Sequence, residues 1–439
     1  MSAEIEQRLA DIDAAGLRRR TRLVSGPQGA RVVLDGRPVL LLCSNNYLGL
    51  ADHPRVREAA ADAAMRWGAG TGGSRLVGGT MTIHQRLEER LAAFKGTARA
   101  LLFGSGYLAN LGVISALGAA GTLVCSDELN HASIVDGCRL ARGRTAVYAH
   151  GDLEHLHWLL DQAPEERAVV VTDSVFSMDG DVAPLEELTT LTRSRGAWLV
   201  VDEAHATGCV GPGGRGAVAE ARVDGEEHVV VVGTLGKALG AYGAFVAGSA
   251  AIRELLVNTA RPFIFSTAPP PPAMAGALAA LELLEEQPAR VGQLQANART
   301  LRDELAREGF DVAGSSTQIV PLVIGPAAQA MAICEAALER GVFAQAIRPP
   351  TVPEGTSRLR LAVMASHTKE ELRGAARTLG RAALQAGFRT ADGMPVAAAR
   401  GMRGAETGDA TGRTGAPPAA PDPEARRTAL KAVPPLRVA

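Results

Sequence analysis

Four consecutive valines (229–232) run into a short turn that carries a single lysine, Lys237, in V-V-V-V-G-T-L-G-K-A-L-G (229–240). A lysine amine is strongly hydrated, and its pKa falls when it is desolvated, which is how a catalytic amine is made. Taken alone, Lys237 reads first as a solvated lysine just past a strand. A second apolar run, 198–201, ends in Asp202-Glu203-Ala204-His205. A carboxylate there is costly to bury without a partner, so Asp202 reads either as a functional group or as the cap of the next turn. A third run, 168–171, ends in T-D-S-V-F-S-M-D-G (172–180), a loop dense in hydroxyls and carboxylates. Most of that loop reads as a polar lead into a helix at Pro184. Upstream, F-G-S-G-Y (103–107) precedes a helix over 108–117, and free N–H groups at a helix start make an anion site. His131 lies at another helix start, where Asn130 reads as the cap.

Together these groups say more than any one of them. A phosphate cradle, an aromatic stacker, a carboxylate, a hydroxyl-rich loop and an amine fall at successive strand ends of one sheet. Pyridoxal phosphate chemistry needs that set: a lysine to form the Schiff base, a carboxylate to keep the pyridine nitrogen protonated, and a helix N-terminus to hold the phosphate. The glycine-rich stretches at 70–75 and 211–216 have neither Walker nor dinucleotide spacing.

The elements that must position these groups alternate between two periods. Ile83, Leu87, Leu91 and Phe94 recur at helical spacing, whereas brief apolar runs at 123–125, 146–148, 168–171, 198–201, 229–232 and 244–247 read as buried strands. Such strands separated by helices predict a large α/β domain over 46–285, its mostly parallel sheet covered by helices. Ahead of it, residues 1–45 read as a peripheral helix and a hairpin turning at Asp35-Gly36. Prolines 269–272 interrupt the chain before a helical region over 274–308. A smaller C-terminal α+β domain (286–386) follows, with strands at 319–324, 342–347 and 358–363 and helices at 328–340 and 369–384. Beyond 387 the Ala/Gly/Pro/Arg-rich composition predicts a disordered tail, 387–439.

At 439 residues, 46% hydrophobic and 21% charged, with a net charge of −1, the chain reads as a soluble globular protein. The charge balance gives no footprint for nucleic acid or anionic membrane. No apolar run reaches spanning length, and the N-terminus lacks a secretory pattern. The five cysteines are scattered and read as reduced and mostly buried, implying neither disulfides nor a metal site and a cytoplasmic location.

The chain closely resembles the α-oxoamine synthases, pyridoxal 5'-phosphate enzymes of the aspartate-aminotransferase fold (fold type I). The likeness runs from about 17 to 384 and is carried by S-N-N-Y-L-G-L (44–50), G-T-G-G-S-R-L-V-G-G-T (70–80), F-G-S-G-Y-L-A-N (103–110), N-H-A-S-I (130–134), D-S-V-F-S-M-D-G-D (173–181), D-E-A-H-A-T-G (202–208), G-T-L-G-K-A-L-G (233–240) and F-S-T-A-P-P (265–270). It implies the joining of an amino acid to an acyl thioester with loss of CO2. Within the family, A-I-R-P-P-T-V-P-E-G-T-S-R-L-R-L (346–361) points to L-alanine and a pimeloyl thioester, on CoA or a carrier protein, in biotin biosynthesis. Glycine with acetyl-CoA is the alternative, and an inactive partner subunit of the same fold a remote one. The resemblance assigns Lys237 to the Schiff base and to proton removal, Asp202 to the pyridine nitrogen, His205 and Ser177 to the ring hydroxyl oxygen, and His131 to stacking. It assigns the phosphate to Gly106, Tyr107 and Thr234, with Ser266 or Thr267 from the partner of a homodimer. Arg360 and Asn45 are implied at the substrate carboxylate, and Arg18, Arg348 and Thr351 on the acyl-thioester side.

Overall fold

The computed structural model describes residues 2–312, 314–390 and 396. The N-terminal strands are β1 (Val24–Ser25), β2 (Arg31–Leu34) and β3 (Arg37–Leu41). A second group comprises β4 (Arg99–Phe103), β5 (Thr122–Asp127), β6 (Arg144–Tyr148), β7 (Arg167–Asp173), β8 (Trp198–Asp202), β9 (Val229–Thr234) and β10 (Ala244–Gly248). The last group is β11 (Ile319–Gly325), β12 (Val342–Phe343), β13 (Gln345–Ile347) and β14 (Ser357–Ala362).

The second group forms one seven-stranded sheet in the order β4-β10-β9-β8-β7-β5-β6. Pairing is parallel from β9 through β6, and β10 runs antiparallel to both β9 and β4. This is the mostly parallel sheet expected from the valine-rich runs. Successive side chains of a strand point to opposite faces, and here both faces are dry. Leu199, Val201, Val229 and Val231 join one core, under the helices Thr82–Lys95, Leu185–Ser194 and Pro271–Glu286. Val200, Val230 and Val232 join the other, under the helices Gly106–Leu117, Ala132–Leu140 and Ala250–Thr259. A strand apolar at every position is what two covered faces require.

The hairpin at Asp35-Gly36 forms as expected, with Asp35 and Gly36 both at positive φ. The long helical region does not stay whole. It breaks into Pro271–Glu286 and Ala289–Arg307, because Pro288 has no N–H to continue the first helix. The single strand expected over 342–347 divides between two sheets. β12 pairs parallel with β3, extending the N-terminal sheet, while β13 pairs with β14. β4 was not foreseen.

The C-terminal sheet has the order β11-β14-β13. β14 is buried along its whole length yet carries Arg358 and Arg360, two residues apart and hence on one face. Of the expected tail, residues 391–395 and 397–439 lie outside the described residues. Phe388 packs against the core, its ring stacked 6.1 Å from that of Phe310.

Candidate active site

Asp173 and Asp202 end the neighbouring parallel strands β7 and β8 and are paired in register. Thr234 ends the next strand, β9. A compact turn then returns the chain to β10, closed by bonds from Leu235 N to Gly243 O and from Ala241 N to Leu235 O, both 2.9 Å. Lys237 projects from this turn. Across from it, the helix Gly106–Leu117 begins at the same edge of the sheet. Ser105 caps it by accepting from Leu108 N at 3.2 Å, and the first amides, of Gly106 and Tyr107, have no acceptor within the helix. These elements enclose a cavity of about 170 Å³ lined by Gly106, Tyr107, His131, Ser133, Asp173, Asp202, Ala204, His205, Thr234 and Lys237.

The polar groups form two connected chains. In the first, Lys237 Nζ lies 2.8 Å from His205 Nε2, and His205 Nδ1 lies 2.7 Å from the Tyr47 hydroxyl. Arg360 donates to the same hydroxyl at 3.2 Å and to Asn45 Oδ1 at 3.3 Å, and the hydroxyl donates to Asn45 Oδ1 at 3.0 Å. Burial, together with the positive charges of Lys237 and Arg360, holds the His205 pKa well below its usual range. A neutral His205 with its proton on Nδ1 satisfies every one of these contacts: Nε2 accepts from Lys237 and Nδ1 donates to Tyr47.

In the second chain Asn110 Nδ2 donates to Asp202 Oδ2 at 2.6 Å and to Ser133 Oγ at 2.9 Å. Ala204 N donates to Asp202 Oδ1 at 2.7 Å. Asp202 therefore both closes the turn after β8 and lines the cavity, so the two readings of it are compatible. Asp173 accepts from His131 N at 2.7 Å, and burial and the neighbouring charge of Asp202 raise its pKa well above the carboxylate range. Two buried carboxylates side by side do not both ionise cheaply.

Burial in the cavity wall lowers the Lys237 pKa to about 8, against the pull of Asp202, with Arg360 adding to the fall. In the cofactor-free protein we expect its reaction with a small aldehyde, trapped by borohydride, to rise with pH through a midpoint near 8. A midpoint near the ordinary lysine value of 10.5 would contradict this.

The structure brings Lys237, Asp202, His205, His131, Gly106, Tyr107 and Thr234 to one cavity and pairs Arg360 with Asn45. His131, not Asn130, caps its helix: its Nδ1 accepts from Ser133 N at 3.2 Å, while Asn130 braces β7 by donating to Val171 O. Ser177, Ser266 and Thr267 lie outside the cavity lining. The Ser177 carbonyl accepts from Arg360 Nε at 2.5 Å, and Thr267 bridges to Ser74. Arg18, Arg348 and Thr351 line a separate cavity of about 760 Å³ together with Arg19, Arg20 and Arg22, with Leu41, Met331 and Phe343 among its apolar walls.

Sequence reasoning passed over Tyr47, Asn110, Ser133, Asp173 and Arg358. Asn110 was findable, since it follows Gly106 by four residues and so faces the same way along the helix. Arg358 follows from period two on β14, and ion-pairs with Asp179.

The donor set fits a phosphorylated pyridine aldehyde. Free amides at a helix start and the Thr234 hydroxyl suit the phosphate, the imidazole of His131 suits the ring face, Asp202 suits a protonated ring nitrogen, and Lys237 suits the aldehyde.

Residues 37–379 match the family described as aminotransferase class I and II. The 8-amino-7-oxononanoate synthase of Geobacter sulfurreducens is 51% identical over 391 residues, which are 88% of this chain and all of that protein. Among solved structures, serine palmitoyltransferase from Sphingomonas wittichii superposes with a TM-score of 0.82 at 33% identity, covering 88% of this chain and 97% of its own. The structure of 8-amino-7-oxononanoate synthase from Francisella tularensis superposes with a TM-score of 0.67 at 27% identity, covering 78% of this chain and 96% of its own.

Proposed function

The chain belongs to the aminotransferase class I and II family, and from that premise we propose that it is a pyridoxal-phosphate-dependent 8-amino-7-oxononanoate synthase. It joins L-alanine to a pimeloyl thioester, releasing CO2 and the free thiol carrier, in biotin biosynthesis. The observation that carries this reading is the 51% identity to the Geobacter sulfurreducens synthase along its whole length. The structural likeness to serine palmitoyltransferase is the stronger one by TM-score and favours a second reading, an L-serine and long-chain acyl substrate pair. Shared fold is weaker evidence about substrate than identity within one fold, so the alanine reading stands first.

Bound in the cavity, the cofactor supplies an electron sink for charge developing at the amino acid's Cα. Everything else falls to the chain. Lys237 would hold the aldehyde and, once the substrate's amine has displaced it and left it a free amine, would remove and return the Cα proton; an amine with a pKa near working pH serves both directions. His205 accepts from Lys237 and keeps the amine oriented, and would stand beside the ring hydroxyl oxygen. Asp202 carries the charge that stabilises a protonated ring nitrogen, with Asn110 fixing its carboxylate. The amides of Gly106 and Tyr107 and the hydroxyl of Thr234 would hold the phosphate, and His131 would cover the ring. Arg360 and Asn45 bind the substrate carboxylate, for which a guanidinium fork is suited. Arg18, Arg348 and Thr351 take the acyl thioester, and the arginine-lined cavity with apolar walls supports that assignment. An inactive subunit is disfavoured because Lys237, Asp202, His205 and His131 all reach one cavity.

Ser266 or Thr267 completes the phosphate site of a second copy, making the enzyme a homodimer. Their place outside the cavity of their own chain supports this, as do the exposed apolar residues Leu76, Val77 and Phe265, which are 52%, 88% and 69% accessible. The cytoplasm is the compartment; among the described residues no helix is long and apolar enough to cross a membrane, and the cysteines are free.

A substrate panel tests the reading. L-Alanine with pimeloyl-CoA is expected to release thiol at least about 100-fold faster, by kcat/KM, than glycine with acetyl-CoA or L-serine with palmitoyl-CoA. Preference for either other pair would replace it.

A further inference from the structure

His150 follows edge strand β6 and takes no part in the cavity, yet it sits between two carboxylates. Its Nδ1 lies 3.0 Å from Asp127 Oδ1, at the end of β5, and its Nε2 lies 2.9 Å from Asp181 Oδ2. Its ring meets Phe176 edge-on, with centroids 4.4 Å apart. Asp181 and Phe176 belong to the loop 174–182, which folds on itself through Phe176 N to Asp181 O at 3.0 Å and a bridge between Val175 and Val182. The far side of that loop grips the C-terminal sheet. The Ser177 carbonyl accepts from Arg360 Nε, the Met178 carbonyl and the Asp179 carboxylate accept from Arg358, and the Gly180 carbonyl accepts from Thr317 Oγ1 at 2.9 Å.

We propose that His150 is a positioning residue: as an imidazolium clamped between Asp127 and Asp181, it latches the loop 174–182 to the large sheet and so sets where Arg360 meets the amino-acid carboxylate. A neutral imidazole has one N–H and so donates to only one of the two carboxylates; both contacts require the cation. Hydrogen bonds donated to the two carboxylates raise the His150 pKa from 6.5 to about 10, against partial burial. Because the folded value is the raised one, the imidazolium and its clamp persist until pH rises through about 10, and the stability they contribute, full below 6.5, is lost by about 10. Glu128 also faces this segment, accepting from His150 N at 2.9 Å, and adds negative charge. The latch is thus closed throughout the range from pH 6 to 9.

This rests on Arg360 binding the substrate carboxylate, and the test separates the two ideas. In the holoenzyme, His150→Ala is expected to raise the L-alanine KM about 10-fold, with kcat and the thioester KM within about 2-fold, since a charged hydrogen-bonded contact is lost but no reacting group is. Added imidazole should recover most of the loss. Asp181→Asn, which removes one jaw, should act in the same direction, and serves if His150→Ala does not fold. Arg360→Lys should raise the L-alanine KM further, and adding His150→Ala to it should cost little more. A normal L-alanine KM in His150→Ala beside a raised one in Arg360→Lys overturns the latch alone. A normal value in Arg360→Lys overturns the reading beneath it. Parallel changes in kcat and both KM values in the His150 and Asp181 variants, without imidazole recovery, would make His150 merely structural and overturn the proposal.

Discussion

Lys237→Ala is expected to lower turnover by at least about 10⁴-fold, since in the proposed mechanism one amine is covalent anchor, base and acid, and acid–base catalysis alone contributes about 10² to 10⁴. The visible absorbance that the cofactor gains on attachment to the lysine should vanish with it. The fold should not suffer. Among the described residues Lys237 Nζ has one side-chain hydrogen-bond partner, His205, and its lowered pKa records an amine that loses hydration in the cavity wall. Removing a group that is costly to bury leaves the melting temperature of the cofactor-free protein unchanged or raised. His205 keeps its contact with Tyr47, so the chain toward Arg360 stays ordered. Purified variant that turns over at more than about one percent of the parent rate would remove Lys237 from the chemistry, because no other acid–base group could supply so much.

The parts of this molecule that were legible in the sequence are those where local chemistry and local structure coincide. The valine runs announced buried strands because both faces of the sheet are covered, so every position had to be apolar. The functional groups at their ends stood out because a polar residue directly after such a run has to find a purpose. Asp202 was visible in this way, and Lys237, His205 and His131 in the turns that follow such runs; all four line one cavity.

Contacts that depend on the third dimension were less legible. Tyr47 is fully buried and binds His205, 158 residues away, and Arg360, 313 residues away. Nothing in S-N-N-Y-L-G-L distinguishes it from a core tyrosine. Ser177 was assigned through its hydroxyl, but in the folded chain its carbonyl makes the contact with Arg360, and no side-chain motif reports on a backbone oxygen. Pairing of β12 with β3 escaped notice because a two-residue strand has no periodicity to read. Ser266 and Thr267 lie outside the cavity of their own chain, so no contact within that cavity marks them.

Asp202→Asn separates holding the cofactor from using it. The substitution keeps the size and leaves an oxygen to accept from Ala204 N, so the turn after β8 should survive. The other side of the group cannot adapt. Asn110 donates its Nδ2 to Asp202 Oδ2 and to Ser133, and an amide nitrogen at that position would set donor against donor. More important is the charge. A neutral amide does not stabilise a protonated ring nitrogen, so the ring no longer draws electrons from the substrate carbon. Losing one partner of a buried, hydrogen-bonded charge pair costs about 2–5 kcal/mol, so turnover should fall about 30- to 5,000-fold. Lys237 and the phosphate cradle are untouched, so the variant should still take up the cofactor and show visible absorbance, unlike Lys237→Ala. Its neighbour offers an independent reading. The Asp173 pKa is raised by burial and then by the charge on Asp202, so it should fall back toward the carboxylate range when that charge is gone. A variant that loses both cofactor and turnover would place Asp202 in the architecture of the site. One that keeps both within about 3-fold would mean that the electron sink operates without its carboxylate, and the assignment of Asp202 would fail.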